Sequence, residues 1–155
     1  MDSSPRAGQY WTINFFVRED TVCLAEHTRG PGKGLLNGYG GKGRSLPRDI
    51  SRVIETYGES RALPLSWEVR ARLDFFYDGL HVPTDVAVIT SWLGAPRTTT
   101  EMRDPRWYAF DKVPYDKMWP DDAHWLPRVL AGERIRGVIR IRDRKLECAP
   151  LIWTA

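Results

Sequence analysis

The sequence predicts an α+β fold, and three observations carry that expectation. Strand-like stretches outnumber helical ones, the two helical stretches lie far apart in the chain, and 42% of the 155 residues are hydrophobic. A chain of this size and composition can bury a core of its own, so one domain over 9–155 is expected behind a short disordered lead at 1–8. Regular strand–helix alternation would predict a doubly wound sheet instead, and it is absent.

Strands are expected at Tyr10 to Val17, Thr21 to Glu26, Ser66 to Tyr77, Val82 to Trp92, Trp107 to Asp111, Ile135 to Arg142 and Lys145 to Ile152. Many of these stretches are rich in Val, Ile, Phe, Tyr and Trp, and Gly, Pro or Asp bounds them. From Pro47 to about Leu63, Ile50, Val53, Ile54 and Tyr57 recur at helical spacing, and Pro47 suits a first turn. Glu55 and Glu59 are four apart and share one face of that helix, with Arg48 and Arg52 on or near it. Two carboxylates so placed can hold a Mg²⁺ that keeps its waters and borrows phosphate oxygens. The same residues also suit an ordinary solvated face. Gly58 inside this helix costs about 1 kcal/mol relative to Ala, so it marks either a frayed end or a place where a side chain would collide. Asp121 to Leu130 reads as the second helix, stopped by Ala131-Gly132.

Composition narrows the functional classes. The net charge of +3 is too modest to argue for nucleic acid by itself. There is no long apolar run, and a transmembrane or secretory segment is not expected. Cys23 and Cys148 each fall in a strand-like stretch and are expected as reduced core thiols, which fits a cytoplasmic setting. His27, His81 and His124 show no ligand spacing, so neither a zinc site nor a catalytic triad is indicated. The loop Arg29-Gly30-Pro31-Gly32-Lys33-Gly34 lacks the ending of a P-loop and reads as a mobile cleft rim. Arg136, Arg140 and Arg142 alternate with Ile135, Ile139 and Ile141, giving a strand with one basic face. A solvated hairpin explains it, as does a phosphate or RNA contact.

The most informative stretch is Met118-Trp119-Pro120-Asp121-Asp122, followed by Trp125. Adjacent carboxyls, one protonated and one ionised, can answer the donors and acceptors along a purine edge, while Trp119 stacks on the ring. Helix capping by the aspartates is the plainer explanation of the same residues.

Asn37-Gly38-Tyr39-Gly40-Gly41-Lys42, Glu101-Met102-Arg103, Trp107, and Met118 to Asp122 with Trp125 and Pro127 resemble, in order and spacing, the oxidised-purine nucleoside triphosphate diphosphatases of the Nudix superfamily. The resemblance runs from about Tyr10 to about Ile152 and implies an α/β/α sandwich around a mixed sheet. The catalytic signature is degenerate, with Pro47 where its first Glu belongs. Without a gap, Glu59 takes the first place of the Glu-Glu pair, Ser60 the second, and Glu55 falls on the Arg position. With a loop one residue shorter, Ile54-Glu55 matches Arg-Glu and Gly58-Glu59 matches Glu-Glu. The shorter loop keeps two carboxylates in ligand places and is preferred.

The resemblance implies Gly40, Glu55, Glu59 and Glu101 around Mg²⁺ or Mn²⁺, with the three glutamates as the catalytic carboxylates. It implies a base pocket of Thr12, His27, Asn37, Phe75, Trp119, Asp121 and Asp122. His27 replaces a lysine, Leu36 a tryptophan and Thr84 a methionine of the resembled enzymes. The implied partner is a small-molecule purine nucleotide, with no stable nucleic acid or membrane, in a monomer or weak homodimer. Hydrolysis of a purine nucleoside triphosphate to monophosphate and pyrophosphate is expected. The degenerate signature leaves two alternatives: a nucleotide-binding protein that has lost hydrolysis, or a Nudix-fold enzyme of another reaction type on a nucleotide or diphosphate ester.

Overall fold

A computed structural model describes residues 8–43 and 46–155; all but the last residue of the expected N-terminal lead lies outside them. The strands are β1 (Tyr10–Arg18), β2 (Thr21–His27), β3 (Leu36–Asn37), β4 (Lys42–Gly43), β5 (Leu63–Tyr77), β6 (Leu80–Leu93), β7 (Met102–Ala109), β8 (Ile135–Arg142), β9 (Lys145–Leu146) and β10 (Leu151–Thr154). Helix α1 (Arg48–Ser60) lies between β4 and β5, and α2 (Asp122–Leu130) between β7 and β8.

The sheet is mixed, in the order β10-β8-β5-β6-β1-β2-β3, with β4 on β1, β7 on β2 and β9 on β8. Parallel pairs join β1 to β6 and β5 to β8; the remaining pairs are antiparallel. The long β5–β6 hairpin turns tightly through Asp78-Gly79, a dipeptide suited to two-residue turns. Period-2 alternation sorts the core into two clusters on opposite sheet faces. Phe15, Leu24, Leu73 and Val86 pack with Trp125, Leu126 and Val129 of α2. Their strand neighbours Phe16, Cys23 and Ile89 pack with Tyr39 and Met102 on the other face.

Several expectations need correction. The apolar spacing of α1 marks a helix but not its buried side, because Ile50, Ile54 and Tyr57 are exposed. The helix sits on the sheet through polar groups instead. Ser51, Arg52, Thr56 and Ser60 are buried, Arg52 is 0% exposed, and its Nε donates to Asn14 Oδ1 of β1 at 2.7 Å. A solvated face containing Arg52 is therefore overturned. The helix ends at Ser60, with Arg61 in the left-handed region at φ 62°, so β5 begins at Leu63 and not Ser66. The strand expected at Trp107 to Asp111 starts earlier, at Met102, and Phe110–Lys112 is a 3₁₀ turn. Lys145 to Ile152 is not one strand but two short ones around a bend. That bend leaves Cys148 exposed, so only Cys23 is a core thiol.

Candidate active site

A cavity of about 150 Å³ opens between the ends of β1 and β5, the loop after β2 and the start of α2. Thr12, His27, Asn37, Gly40, Phe75, Trp119, Asp121 and Asp122 all line it. Leu36 and Thr84 do not. Trp11, Tyr77 and Ile141 complete the apolar wall, and sequence reading missed them. Trp11 lies 5.8 Å from Phe75 and 5.9 Å from Tyr77 between ring centroids. The signal was available: Phe75 and Tyr77 are two apart on one strand and so share a face.

The floor of the cavity is the aspartate pair. Asp121 stands at the N-cap position of α2 without a side-chain capping hydrogen bond, while Asp122 lies in the first turn, where it complements the helix dipole. Both residues are buried. Asp121 Oδ2 accepts from Trp125 Nε1 at 2.7 Å. Among the described residues, no donor reaches Asp121 Oδ1 or Asp122 Oδ2. The two neighbouring carboxyls act on each other's protonation. Burial, followed by the charge of Asp121, holds Asp122 well above the usual carboxylate range. Burial raises Asp121 as well, and the Trp125 indole opposes that rise. Both carboxyls are thus biased toward the protonated form, Asp122 the more strongly.

The second part of the candidate site is built where α1 meets the loop after β3. Gly40 adopts φ +135°, and a Cβ there would run into the Thr12 carbonyl. At Gly41, a Cβ would stand 2.7 Å from Glu55 Oε2. These two glycines let the loop backbone lie against the glutamate face of α1. Gly40 N donates to Glu59 Oε1 at 2.9 Å. Ser60 turns inward, its Oγ donating to Thr56 O at 2.6 Å, while Glu55 and Glu59 face the loop. A Cβ at Gly58 would meet nothing within 4 Å, so a collision does not explain that glycine.

Burial pushes Glu59 up to about 8 against the Gly40 hydrogen bond, with the charges of Glu55 and Glu101 adding to the rise. Burial and then the Glu101 charge raise Glu55. Raised carboxylates along one backbone loop are short of positive charge, and a hard divalent cation with oxygen ligands answers that shortage. The donor set fits such an ion, although among the described residues no three His, Cys, Asp or Glu side chains form a ready-made metal cage. The Glu101 carboxylate is instead held by Arg29, with Arg29 Nε donating to Glu101 Oε2 at 2.9 Å.

The 29–34 loop is not a free rim. Arg144, from the β8–β9 turn, donates through Nε to Pro31 O at 2.8 Å and through Nη2 to Lys33 O at 2.8 Å. Its guanidinium also lies 5.7 Å from the Trp119 ring centroid. The loop is thereby drawn over His27 and Trp119. Burial holds His27 below its ordinary value, with the Glu101 charge opposing the fall, so near neutral pH it presents an uncharged ring to the cavity.

No family model matches the chain. The MutT protein of Bacillus halodurans shares its fold at a TM-score of 0.77 and 19% identity, over 93% of this chain and 97% of that one. A MutT Nudix hydrolase of Burkholderia pseudomallei aligns at a TM-score of 0.63 and 21% identity, over 68% of this chain and 86% of that one. Fold and site thus define a Nudix-fold protein. Oxidized purine nucleoside triphosphate hydrolases are similar in sequence: the mouse protein is 28% identical over 139 residues, 86% of this chain and 87% of the relative. The zebrafish (Danio rerio) protein is 30% identical over 136 residues, 84% of this chain and 85% of the relative. The chain belongs to the family of oxidized purine nucleoside triphosphate hydrolases.

Proposed function

We propose that the chain hydrolyses a purine nucleoside triphosphate with an oxidised base, such as an 8-oxo-guanine form, to monophosphate and pyrophosphate. The observation that carries this reading is the buried Asp121–Asp122 pair, unpartnered at two oxygens and lining the same cavity as the Gly40-Gly41 loop. A protonated Asp122 donates and an ionised Asp121 accepts, so the pair reads a ring edge that offers one of each. Trp119 supplies the stacking face, and the Asn37 amide can donate and accept at the rim. Glu55, Glu59 and the Gly40 carbonyl would hold Mg²⁺, or Mn²⁺, with Glu101 as a further ligand once it leaves Arg29. When bound, the ion neutralises the phosphates and lowers the pKa of a coordinated water. Glu101, as base, would take the proton from the attacking water. No helix among the described residues is long and apolar enough to cross a membrane, and a cytoplasmic setting suits this substrate.

Incubation with canonical and oxidised purine nucleoside triphosphates plus Mg²⁺ or Mn²⁺, with products resolved by chromatography, tests the reading. Pyrophosphate and the oxidised monophosphate are expected, and Glu59→Gln should abolish their release while nucleotide affinity persists. Equal turnover in that variant refutes the assignment. The Arg29–Glu101 pair and the missing acid at Gly58 favour a second reading, a nucleotide-binding protein without hydrolysis. Binding without turnover in the unmodified protein would select it.

A further inference from the structure

We propose that the open sheet face formed by β5, β8 and β10, turned away from α2, binds a single strand of nucleic acid. Trp153 of β10 lies opposite Arg136 of β8, and Arg136 lies opposite Arg72 of β5. Both arginines are exposed. Among the described residues neither has a carboxylate within ion-pair distance. The acid opposite Arg72 on β6, Asp85, is taken by Arg48 at 3.1 Å. Like charges directly opposite one another destabilise a strand pair, and the two aspartates that line the depression beside this one, Asp74 and Asp85, are engaged by His81 and Arg48. Two depressions, of about 210 and 330 Å³, flank the pair; Trp153 lines the first and Arg134 the second.

Four residues along β8, Arg140 lies 4.1 Å over the Phe76 ring, whose other partner, His81, stacks at 4.9 Å between centroids. Asp74, the acid between these rows, is engaged by His81 at 2.7 Å. From Arg136 to Arg140 the arginines of β8 therefore span roughly 13 Å, whereas Arg134, just before the strand, is ion-paired with Glu68 at 3.2 Å. That length suits two to three successive phosphates. A flat sheet offers no helix or ribbon to enter a duplex groove. The Trp153 indole, 46% exposed, instead offers an unpaired base a surface on which to stack. This face is separate from the nucleotide cavity, and the inference does not depend on the chemistry proposed there.

Fluorescence anisotropy with a labelled oligouridylate or oligodeoxythymidylate, at increasing salt, tests the proposal on the full chain. Neutralisation of phosphates by Arg72, Arg136 and Arg140 predicts a slope of log K against log salt of about −2. Arg72→Ala with Arg136→Ala should weaken binding by about tenfold or more and flatten the slope by about 1.4. The corresponding Lys pair should keep the slope. Trp153→Ala should weaken binding without changing the slope, and none of these variants should alter triphosphate hydrolysis. Absence of salt-dependent binding overturns the proposal, as does an unchanged affinity in the double Ala variant. Equal affinity for a duplex with no loss in Trp153→Ala, or displacement of the strand by a saturating purine triphosphate, also overturns it.

Discussion

Replacing Glu59 with Gln should stabilise the metal-free protein at neutral pH, although it removes the group assigned to the metal. In the native state burial pushes this carboxyl from 4.5 up to about 8. An unfolded chain ionises it near the ordinary value. Below pH 4.5 both states hold the proton and the side chain carries no penalty; as pH rises to about 8 the native state is progressively destabilised. Each pH unit in that window is worth about 1.4 kcal/mol, so at pH 7 the ceiling is about 3 kcal/mol. The residue keeps some solvent contact, which brings the expected gain to roughly 1–3 kcal/mol. A neutral amide escapes the penalty, and its carbonyl can still accept from Gly40 N.

At roughly 2–4 °C per kcal/mol for a chain of this size, Glu59→Gln should melt several degrees above the unmodified protein at pH 7 in chelator. The difference should vanish at pH 4.5. Adding Mg²⁺ should raise the melting temperature of the unmodified protein, because an ion that binds only the native state stabilises it by mass action. The variant should respond little. Calorimetry at pH 4.5, 7 and 8.5, with chelator or Mg²⁺, reads all of this. If the Glu59→Gln variant melts no higher at pH 7 without metal, the carboxyl is not held protonated by burial. An equal response to Mg²⁺ in both proteins would remove Glu59 from the ligand set.

Asp122→Asn keeps a donor in place and should leave KM for an oxidised purine triphosphate nearly unchanged, with a flatter alkaline limb; Asp121→Asn should raise KM by about 10- to 100-fold, the worth of a hydrogen bond to a charged acceptor. Steady-state kinetics across pH separates the two, and the reverse ranking would reassign the proton. Arg144→Ala should free the Pro31 and Lys33 carbonyls, raise KM by about tenfold with kcat little changed, and speed amide exchange at 29–34. Arg52→Ala strands the Asn14 amide oxygen in the interior and should cost about 3 kcal/mol or more in a urea melt. Gly58→Ala, in open space on a helix, should add about 0.5–1 kcal/mol to stability in the same melt.

The strands were legible wherever alternation was uninterrupted, as in β8, where every second residue from Ile135 to Ile141 is buried. They were not legible where a strand passes through residues that ordinarily break one. In β7 the run Arg103-Asp104-Pro105 reads as loop, and Asp104 sits at φ 52°, yet the chain stays paired to β2 on both sides. Helix α1 shows a different limit. Periodicity reveals that a segment is helical but does not decide which side is covered, and here Asn14 draws the buried side toward Arg52 and away from the isoleucines.

A similar division runs through the site. Adjacent aspartates beside tryptophan are costly to bury, so their presence in the sequence already pointed to a demand for them, and the structure places them at the floor of a cavity. Contacts that tether the loops beside the site could not be read in this way. Arg29 and Glu101 are 72 positions apart and Arg144 and Pro31 are 113 apart, with no local pattern linking either pair. Arg144 moreover grips backbone carbonyls, which every residue supplies, so nothing in the identities of Pro31 or Lys33 announces the contact. Side chains with specific chemistry thus exposed the pocket in the sequence, whereas the contacts that tether the loops beside it emerge only once the chain is folded.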